Sequence, residues 1–319
     1  MKKIFAALTA ILMIFAAVAC GKNGGEIVDV EVNVPTADQT TAPEQTQAPA
    51  DTDAPQDTLA PEQTQAPAET AAPVDPNLTP EPTAVPPLPE GQVLWLNTMP
   101  LDLYGVPASE AEAWFSDAVF VGDSIMLGWK NFNNAMLGTN PDFFGQTRFL
   151  CEGSYGAGHA LEPVSDKSLH PLYRGEQHLL WDSIQMMGAK KAFICFGLND
   201  VAIYGVDGTA ENFRKLCDKI IENSPDVKIY IISSMYLIDD SNMKALTNKN
   251  LRALNDKLRA LCAEKGYGFV DIGSHLVGED GYLKAEYCSD NYVHQTNAAY
   301  KVWADILRSL AAHNIKWGY

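Results

Sequence analysis

Five short, largely apolar runs recur along the C-terminal part of the chain, at 119–121, 147–151, 192–196, 227–233 and 268–272. Runs of this kind are typical of strands that are buried on both faces of a sheet. Helix-like stretches separate them, and strands that alternate with helices are typical of a parallel sheet. The pattern predicts an α/β fold, a three-layer α/β/α sandwich around a five-stranded parallel sheet.

The helix-like stretches show helical periodicity. Apolar residues recur at spacings of three and four within 211–223, 250–265 and 296–312. Pro225 and Gly266 follow the first two stretches and are typical stop signals. We therefore expect the last 227 residues to fold as one domain, at 93–319.

The first twenty residues predict an export signal. Residues 1–20 contain a lysine pair, an apolar run and a final Ala-Val-Ala-Cys. This ending resembles a bacterial lipobox, in which Cys20 becomes the lipidated first residue, although Ala17 stands where leucine is usual. We expect an outward-facing lipoprotein held on the cell membrane by a lipid on Cys20. The alternative is cleavage near Ala19 and secretion.

Residues 21–92 predict a disordered tether, because they are rich in Pro, Ala, Thr, Gln and Glu and almost free of large apolar residues. The stretch 42–50 recurs at 60–68. Thirteen acidic residues against one lysine place most of the chain's net charge of −17 in this segment. The following domain has no basic patch with interleaved aromatic residues, so we expect no nucleic-acid partner.

Three polar strings stand at positions where a sheet of this kind binds ligands. Gly122-Asp123-Ser124 follows the first run, Gly197-Leu198-Asn199-Asp200 follows the third, and His294 precedes the last helix-like stretch. Ligands bind at the carboxyl ends of the strands in open α/β sheets. A hydroxyl, an amide and an imidazole are the nucleophile, oxyanion donor and general base of acyl transfer. The strings together predict a serine-hydrolase site.

These strings also carry a resemblance to a known family. Over roughly residues 115–312 the chain resembles the SGNH hydrolases, the GDSL-type esterases, which have a flavodoxin-like fold. The resemblance implies that Ser124 is the nucleophile and His294 the base. It implies that the amide of Gly153, which opens a Gly-X-X-Gly string, and the side chain of Asn199 form the oxyanion hole.

The turn after the first run supports the role of Ser124. Gly122 is expected to let the chain turn sharply after the strand. Ser124 would then stand at a helix N-terminus, where the helix dipole favours negative charge, and its own amide is a third candidate oxyanion donor. Asp123 and Asp200 flank the site and are expected to be caps that organise the turns.

The acid is where the sequence departs from the family pattern. The family's DxxH spacing would put aspartate at position 291, which is Asn291 here, while Asp290 lies one residue earlier. A one-residue bulge would bring the Asp290 carboxylate to Nδ1 of His294, and we expect this arrangement. The alternatives are that Asn291 or a backbone carbonyl orients the imidazole without a charge.

The cysteines and the remaining motifs predict no cofactor. Cys151, Cys195, Cys217, Cys262 and Cys288 are odd in number and lack metal-ligand spacing, so they are expected to be small buried apolar residues. The chain has no P-loop, dinucleotide fingerprint or metal-ligand cluster, and we expect neither a metal nor a cofactor.

The resemblance and the export signal together imply a serine esterase. Its expected substrate is a small ester, with acetyl or similar acyl groups removed from cell-surface or extracellular carbohydrate through an acyl-enzyme on Ser124. Three alternatives remain: an exported O-acyltransferase with the same site, a lipase or thioesterase, and a non-catalytic surface binding module. The offset of the acid before His294 is the only support for the binding module.

Overall fold

A parallel sheet occupies the centre of the computed structural model, which describes residues 104–145 and 147–317. The strands of these residues are β1 (Ala118–Gly122), β2 (Arg148–Cys151), β3 (Leu172–Tyr173), β4 (Glu176–Gln177), β5 (Lys191–Cys195), β6 (Lys228–Ile232) and β7 (Gly268–Val270). Five of them pair in parallel in the order β2-β1-β5-β6-β7, and β3 and β4 form a separate antiparallel hairpin. The predicted five-stranded parallel sheet is confirmed.

Two groups of helices cover this sheet. The helices of the described residues are α1 (Ala108–Ala113), α2 (Ser124–Leu137), α3 (Ala157–Ala160), α4 (Leu180–Met187), α5 (Leu198–Asn223), α6 (Asn248–Lys265) and α7 (Asn297–Trp317). Helices α1 and α2 pack against α7, whereas α3, α4 and α6 pack against α5. Every residue of β1 is buried, as expected for a strand covered on both faces. The predicted three-layer sandwich is therefore confirmed.

An aromatic ladder crosses three neighbouring strands of the sheet. Phe120 of β1 pairs in register with Phe193 of β5, which pairs with Tyr230 of β6. Their stacked rings have centroids 4.8 and 4.6 Å apart. Such pairs contribute roughly 0.5–1.5 kcal/mol each beyond the area they bury. The ladder therefore favours the register that aligns the carboxyl ends of β1 and β5.

Gly122 is needed for packing and not, as expected, for a sharp turn. It is the last residue of β1 and does not have a positive φ. A Cβ at this position would lie 2.5 Å from Cβ of Met126 and 2.8 Å from the carbonyl oxygen of Cys195. Only glycine lets β1 lie this close to both α2 and β5.

Several elements were not predicted from the sequence, among them the four-residue helix α3. Helix α1 lies in a segment without a clear pattern, and β3 and β4 have only two residues each. Helix α5 begins at Leu198, well before the periodic stretch, and is broken at Gly205, where φ is 66° and ψ is −178°. Its first segment leaves Ile203 and Tyr204 exposed, so it has no apolar stripe that would reveal a helix.

The predicted signal peptide at 1–20, the predicted tether at 21–92 and residues 93–103 of the predicted domain lie outside the described residues. Within 104–145 and 147–317, none of the helices has both the length and the apolar character needed to span a bilayer.

Candidate active site

Ser124 lies where β1 passes into α2. Asp123 is the N-cap of α2, and its Oδ1 accepts a hydrogen bond of 3.0 Å from the amide of Ile125. Ser124 is therefore the first residue of α2, as expected. Its hydroxyl stands at the positive end of the helix dipole, where a developing negative charge is favoured.

His294 reaches Ser124 from a loop 170 residues further along the chain, with Nε2 2.9 Å from Oγ of Ser124. Ser289 holds this loop together, because its amide and its hydroxyl both donate to the carbonyl oxygen of His294, at 2.8 and 3.1 Å. The imidazole is thus positioned by hydrogen bonds of its own loop just before α7 begins.

Asp290 completes a line of three side chains. Its Oδ2 lies 2.5 Å from Nδ1 of His294. Its Oδ1 accepts from the successive amides of Tyr292, Val293 and His294, at 2.9, 2.9 and 3.1 Å. Asn291 has a left-handed conformation with φ 56°, which supplies the one-residue bulge in this turn. The structure thus places the Asp290 carboxylate, and not the Asn291 amide, on the imidazole.

The hydrogen bonds of this turn keep the Asp290 carboxyl ionised. Partial burial works to raise its pKa, but the hydrogen bonds from His294 and from the amides of Val293 and Tyr292 outweigh burial and lower the pKa to about 2. An ionised carboxylate accepts the Nδ1 proton, so Nε2 of a neutral His294 is left as the acceptor for the Ser124 hydroxyl.

Asn199, at the start of α5, is tied to the turn that precedes Ser124. Its Nδ2 donates to Oδ2 of Asp123 at 3.2 Å and to the carbonyl oxygen of Tyr155 at 3.1 Å. These contacts join the ends of β1 and β5 to the loop between β2 and α3. They hold Nδ2 of Asn199 beside Asp123, the residue that precedes the candidate nucleophile Ser124.

Gly153 lies in the same loop between β2 and α3, two residues before Tyr155. Its amide donates to Oε1 of Glu152 at 3.1 Å, and Glu152 is exposed. Ser154 follows with φ 60°. The Gly153 amide thus already donates to a carboxylate oxygen, which is the kind of group to which an amide of an oxyanion hole donates.

Asp200 fastens this loop from the other side. It accepts from the amides of Ala157 and Gly158, at 3.1 and 2.8 Å. A Cβ on Gly156 would lie 2.5 Å from this carboxylate. Asp200 therefore caps α3 across space, whereas the N-cap of its own helix, α5, is Gly197.

Two buried carboxylates thus lie behind the candidate site. Burial raises the pKa of Asp123 to about 7, the Ile125 amide opposes this shift, and the nearby charge of Asp200 adds to it. Burial also raises the pKa of Asp200, while the amides of Gly158 and Ala157 work to lower it. Sequence reasoning treated both residues only as caps, and the one signal for more was their place beside Ser124 and Asn199.

The described residues contain no cluster of three or more His, Cys, Asp or Glu side chains arranged to hold a metal ion. The five cysteines in this part of the chain are free: Cys151, Cys195, Cys217 and Cys262 are buried, and Cys288 is half-buried. Burial raises the pKa of the Cys151 and Cys217 thiols to about 12, which keeps them protonated and unreactive.

This geometry supports nucleophilic acyl transfer. A hydroxyl at a helix N-terminus contacts an imidazole, the imidazole contacts an ionised carboxylate, and amide donors lie at the start of α5 and in the loop between β2 and α3. Of the site residues expected from the sequence, the structure joins Ser124, His294 and Asp290 directly. Asn199, in the first turn of α5, and Gly153, in the loop between β2 and α3, lie beside them, and Cys20 lies outside the described residues.

A sequence model of the GDSL-like lipase/acylhydrolase family matches residues 120–302, which is more than half of the chain. The match includes Ser124, Gly153, Asn199, Asp290 and His294. No curated protein matches the sequence.

Solved structures with a similar arrangement include a GDSL-like lipase from Bacteroides thetaiotaomicron, at 17% identity over 61% of this chain and 86% of that one, with a TM-score of 0.44. A protein described as an acylhydrolase from Bacteroides fragilis has 18% identity over 61% and 85%, with a TM-score of 0.45. A mutant acetylxylan esterase from Geobacillus stearothermophilus has 15% identity over 63% and 94%, with a TM-score of 0.41. At these values the likeness carries no inference about the reaction.

Proposed function

The chain belongs to the GDSL-like lipase/acylhydrolase family and is a carboxylic ester hydrolase, and from this premise we propose that it removes small acyl groups, such as acetyl, from carbohydrate outside the cytoplasmic membrane. The observation that carries the catalytic part of the proposal is the line of contacts from Oγ of Ser124 through His294 to Asp290, at 2.9 and 2.5 Å. Ser124 is the nucleophile, His294 the general base and Asp290 the group that orients the base.

Acylation begins when Oγ of Ser124 attacks the ester carbonyl carbon and its proton passes to Nε2 of His294. The imidazolium that forms is stabilised by the Asp290 carboxylate, which stays ionised because its pKa is low. When the tetrahedral intermediate collapses, His294 returns the proton to the leaving sugar oxygen. The acyl group then remains on Ser124 as an ester.

The oxyanion of this intermediate is assigned to three donors, the amides of Gly153 and Ser124 and Nδ2 of Asn199. The Gly153 amide becomes available when the exposed Glu152 carboxylate swings away from it. Nδ2 of Asn199 has two N–H groups, which donate to Asp123 and to the carbonyl oxygen of Tyr155, and the one on Tyr155 is the donor that turns to the oxyanion when it forms. Each preorganised donor in such a hole typically contributes about 10²–10³ in rate.

Deacylation repeats these steps with water. His294 takes a proton from a water molecule as its oxygen attacks the acyl carbon, and then returns a proton to Oγ of Ser124. The products are the free carboxylic acid and the original serine, so atoms and protons balance. A sugar hydroxyl in place of water would give the O-acyltransferase alternative.

An exposed aromatic residue supports a carbohydrate substrate. Tyr204 lies in the first segment of α5, close after Asn199, and is 38% exposed. A Cβ on Gly158 would lie 2.3 Å from its ring, so the ring lies directly over the turn that Asp200 caps. An accessible tyrosine ring offers a flat apolar face beside a polar hydroxyl, on which a sugar ring can stack.

The N-terminal sequence supports the location. The apolar run and Cys20 of the predicted lipobox would place the enzyme on the outer side of the membrane, and the acidic segment at 21–92 would hold the domain away from the lipid surface. Membrane fractionation of cells that make the wild type and Cys20→Ser tests this. Loss of the lipid-bearing form in Cys20→Ser supports anchoring, and an unlipidated, secreted wild type refutes it.

Hydrolysis of p-nitrophenyl acetate by the full chain tests the serine mechanism. Ser124→Ala and His294→Ala should each lower kcat by more than about 10³, because the members of such a triad act as a unit. Ser116→Ala is the matched control, since Ser116 is exposed and lies before the start of β1. Equal rates in all variants, or an inactive wild type that still binds an acylated glycan, would instead indicate a binding module.

The substrate class needs separate measurements. Acetate release from an acetylated glycan, with and without an acceptor glycan, distinguishes hydrolysis from acyl transfer. A series of p-nitrophenyl esters from acetate to palmitate distinguishes the esterase from a lipase or thioesterase. We expect kcat/KM to fall steeply beyond butyrate, and a rise toward palmitate would refute the proposal of small acyl groups.

A further inference from the structure

We propose that Asp123 is a positioning residue whose carboxylate fixes the side-chain amide of Asn199 and acts on ester hydrolysis through that amide. This inference rests on the proposed function, in which Asn199 is an oxyanion donor. It assigns Asp123 a role beyond that of a helix cap.

Both oxygens of the Asp123 carboxylate are occupied, and each by a different element. Oδ1 accepts from the amide of Ile125 at 3.0 Å, which caps α2. Oδ2 accepts from Nδ2 of Asn199 at 3.2 Å, across 76 positions of the chain. Asp123 is only 2% exposed, so water does not compete effectively for either contact.

These contacts decide which end of the Asn199 amide faces the site. Nδ2 of Asn199 meets the Asp123 carboxylate and the backbone carbonyl of Tyr155, and both of these groups accept hydrogen bonds without donating any when the carboxylate is ionised. A flipped amide would set its own oxygen against two acceptors. The pair of acceptors therefore keeps the nitrogen on this side. Asp123 retains one N–H and so fixes the orientation of the amide, while the other N–H passes from the Tyr155 carbonyl to an oxyanion when one forms.

Capping alone does not require a carboxylate at position 123. Serine, threonine or asparagine caps a helix about as well as aspartate. A buried carboxylate is also unfavourable, since burial raises its pKa to about 7 and the nearby Asp200 adds to this effect. The second contact, from Oδ2 to Asn199, is out of reach for serine and threonine, and asparagine has a single acceptor oxygen for the two contacts.

A double-mutant cycle in the full chain tests the proposal, with p-nitrophenyl acetate as the probe and Asp123→Ser, Asn199→Ala and the double variant as the enzymes. Serine keeps a cap for α2 but does not reach Asn199. We expect Asn199→Ala to lower kcat about 10²–10³ fold. Asp123→Ser should lower kcat about 10–10² fold with KM changed less than about 3-fold, and should lower kcat less than about 3-fold further when Asn199 is already alanine.

Equal losses from Asp123→Ser in both backgrounds would overturn the proposal, because Asp123 would then act independently of Asn199. The matched control for loss of a cap is Thr247→Ala, since Thr247 caps α6 through the amide of Asn250. It should lower Tm without the loss of kcat. If Asp123→Ser does not fold, Asp123→Asn is used in its place. The asparagine side chain has one acceptor oxygen, which cannot accept from both Ile125 and Asn199.

Side-chain amide NMR separates this proposal from the proposed function. The Asn199 amide signals, identified by their loss in Asn199→Ala, should shift in Asp123→Ser and stay in place in Thr247→Ala. If Ser124→Ala is as active as the wild type, the proposed function fails while a shifted signal still supports the contact. If Ser124→Ala is inactive but the Asn199 signals do not respond to Asp123→Ser, only the positioning proposal fails.

Discussion

Oδ2 of Asp290 lies 2.5 Å from Nδ1 of His294, although the two residues are four positions apart and not three, as in the family pattern. The extra residue, Asn291, is accommodated in a left-handed conformation. Three successive amides then close on Oδ1 of Asp290 and hold the carboxylate against the imidazole.

We expect that only a carboxylate at position 290 can orient His294. Asp290→Asn keeps the shape of the side chain but removes its charge, and we expect kcat to fall about 10²–10⁴ fold, as when the aspartate of a serine triad loses its charge. The double variant Asp290→Asn with Asn291→Asp, which restores the family spacing, should not recover this loss because residue 291 is exposed. Steady-state kinetics on p-nitrophenyl acetate measure both. Recovery to the wild-type rate would show that position 291 can supply the acid.

The conformation of Asn291 predicts which substitutions the turn accepts. With φ at 56°, glycine fits without strain, whereas a β-branched side chain costs roughly 1–2 kcal/mol. Asn291→Gly should keep both kcat and Tm close to those of the wild type. Asn291→Val should lower Tm in thermal unfolding and should also lower kcat, since the same turn carries Asp290. Equal Tm values for the two variants would argue against a left-handed residue here.

Substitution of Gly156 and of Gly158 by alanine allows a direct comparison, because a Cβ at either position would lie too close to a neighbouring side chain. A Cβ on Gly156 meets the buried Asp200 carboxylate at 2.5 Å, and a Cβ on Gly158 meets the partly exposed Tyr204 ring at 2.3 Å. The carboxylate is held by two amides, whereas the ring can swing into solvent. We expect Gly156→Ala to lower both Tm and kcat and Gly158→Ala to change them much less. The opposite order in thermal unfolding would contradict this account of the loop.

Asp123 should make stability depend on pH. Burial raises its pKa to about 7, whereas in the unfolded chain an aspartate ionises near pH 4. Between these values the folded state binds more protons at this site than the unfolded state, so its contribution to the free energy of unfolding falls as pH rises from about 4 to about 7. Asp123→Asn removes this contribution.

Urea unfolding of the wild type and Asp123→Asn at several pH values measures the effect. The difference between their free energies of unfolding should shift in favour of the variant as pH rises through this window. A difference that stays constant would mean that the Asp123 carboxylate titrates near its ordinary value in the folded protein.

Glu152 should be dispensable for catalysis. Its carboxylate contacts the Gly153 amide but is exposed, so it leaves readily when an oxyanion needs that amide. We expect Glu152→Ala to keep kcat/KM for p-nitrophenyl acetate or raise it a few fold. Glu152→Gln serves as the control that keeps the length of the side chain. A large loss of activity in Glu152→Ala alone would show that the loop depends on this side chain.

The sheet and most of the helices could be predicted because their burial leaves a regular pattern of apolar residues in the sequence. Strands such as β1 and β5 are covered on both faces and read as apolar runs, and α6 and α7 show an apolar stripe. The first segment of α5 could not be predicted. It presents Ile203 and Tyr204 to solvent, so its sequence carries no period that marks a helix.

From the sequence alone we could predict the family, the five strands of the parallel sheet with the main helices between them, and the candidates Ser124, Gly153, Asn199, Asp290 and His294. These follow from local strings and from periodicity, which are properties of neighbouring residues. The sequence favoured Asp290 as the group that orients the imidazole and kept Asn291 and a backbone carbonyl as alternatives, because a single left-handed residue decides the matter and the turn around it sets that conformation.

Two long-range links could not be predicted before the fold was known. Asn199 donates to Asp123, and the amides of Ala157 and Gly158 donate to Asp200. These contacts join residues 76 and more than 40 positions apart. They exist because β1 lies between β2 and β5 in the sheet, which brings the loops after three separate strands to one edge. A hydrogen bond needs two atoms within about 3 Å of each other, and across such distances along the chain only the packed sheet fixes that separation.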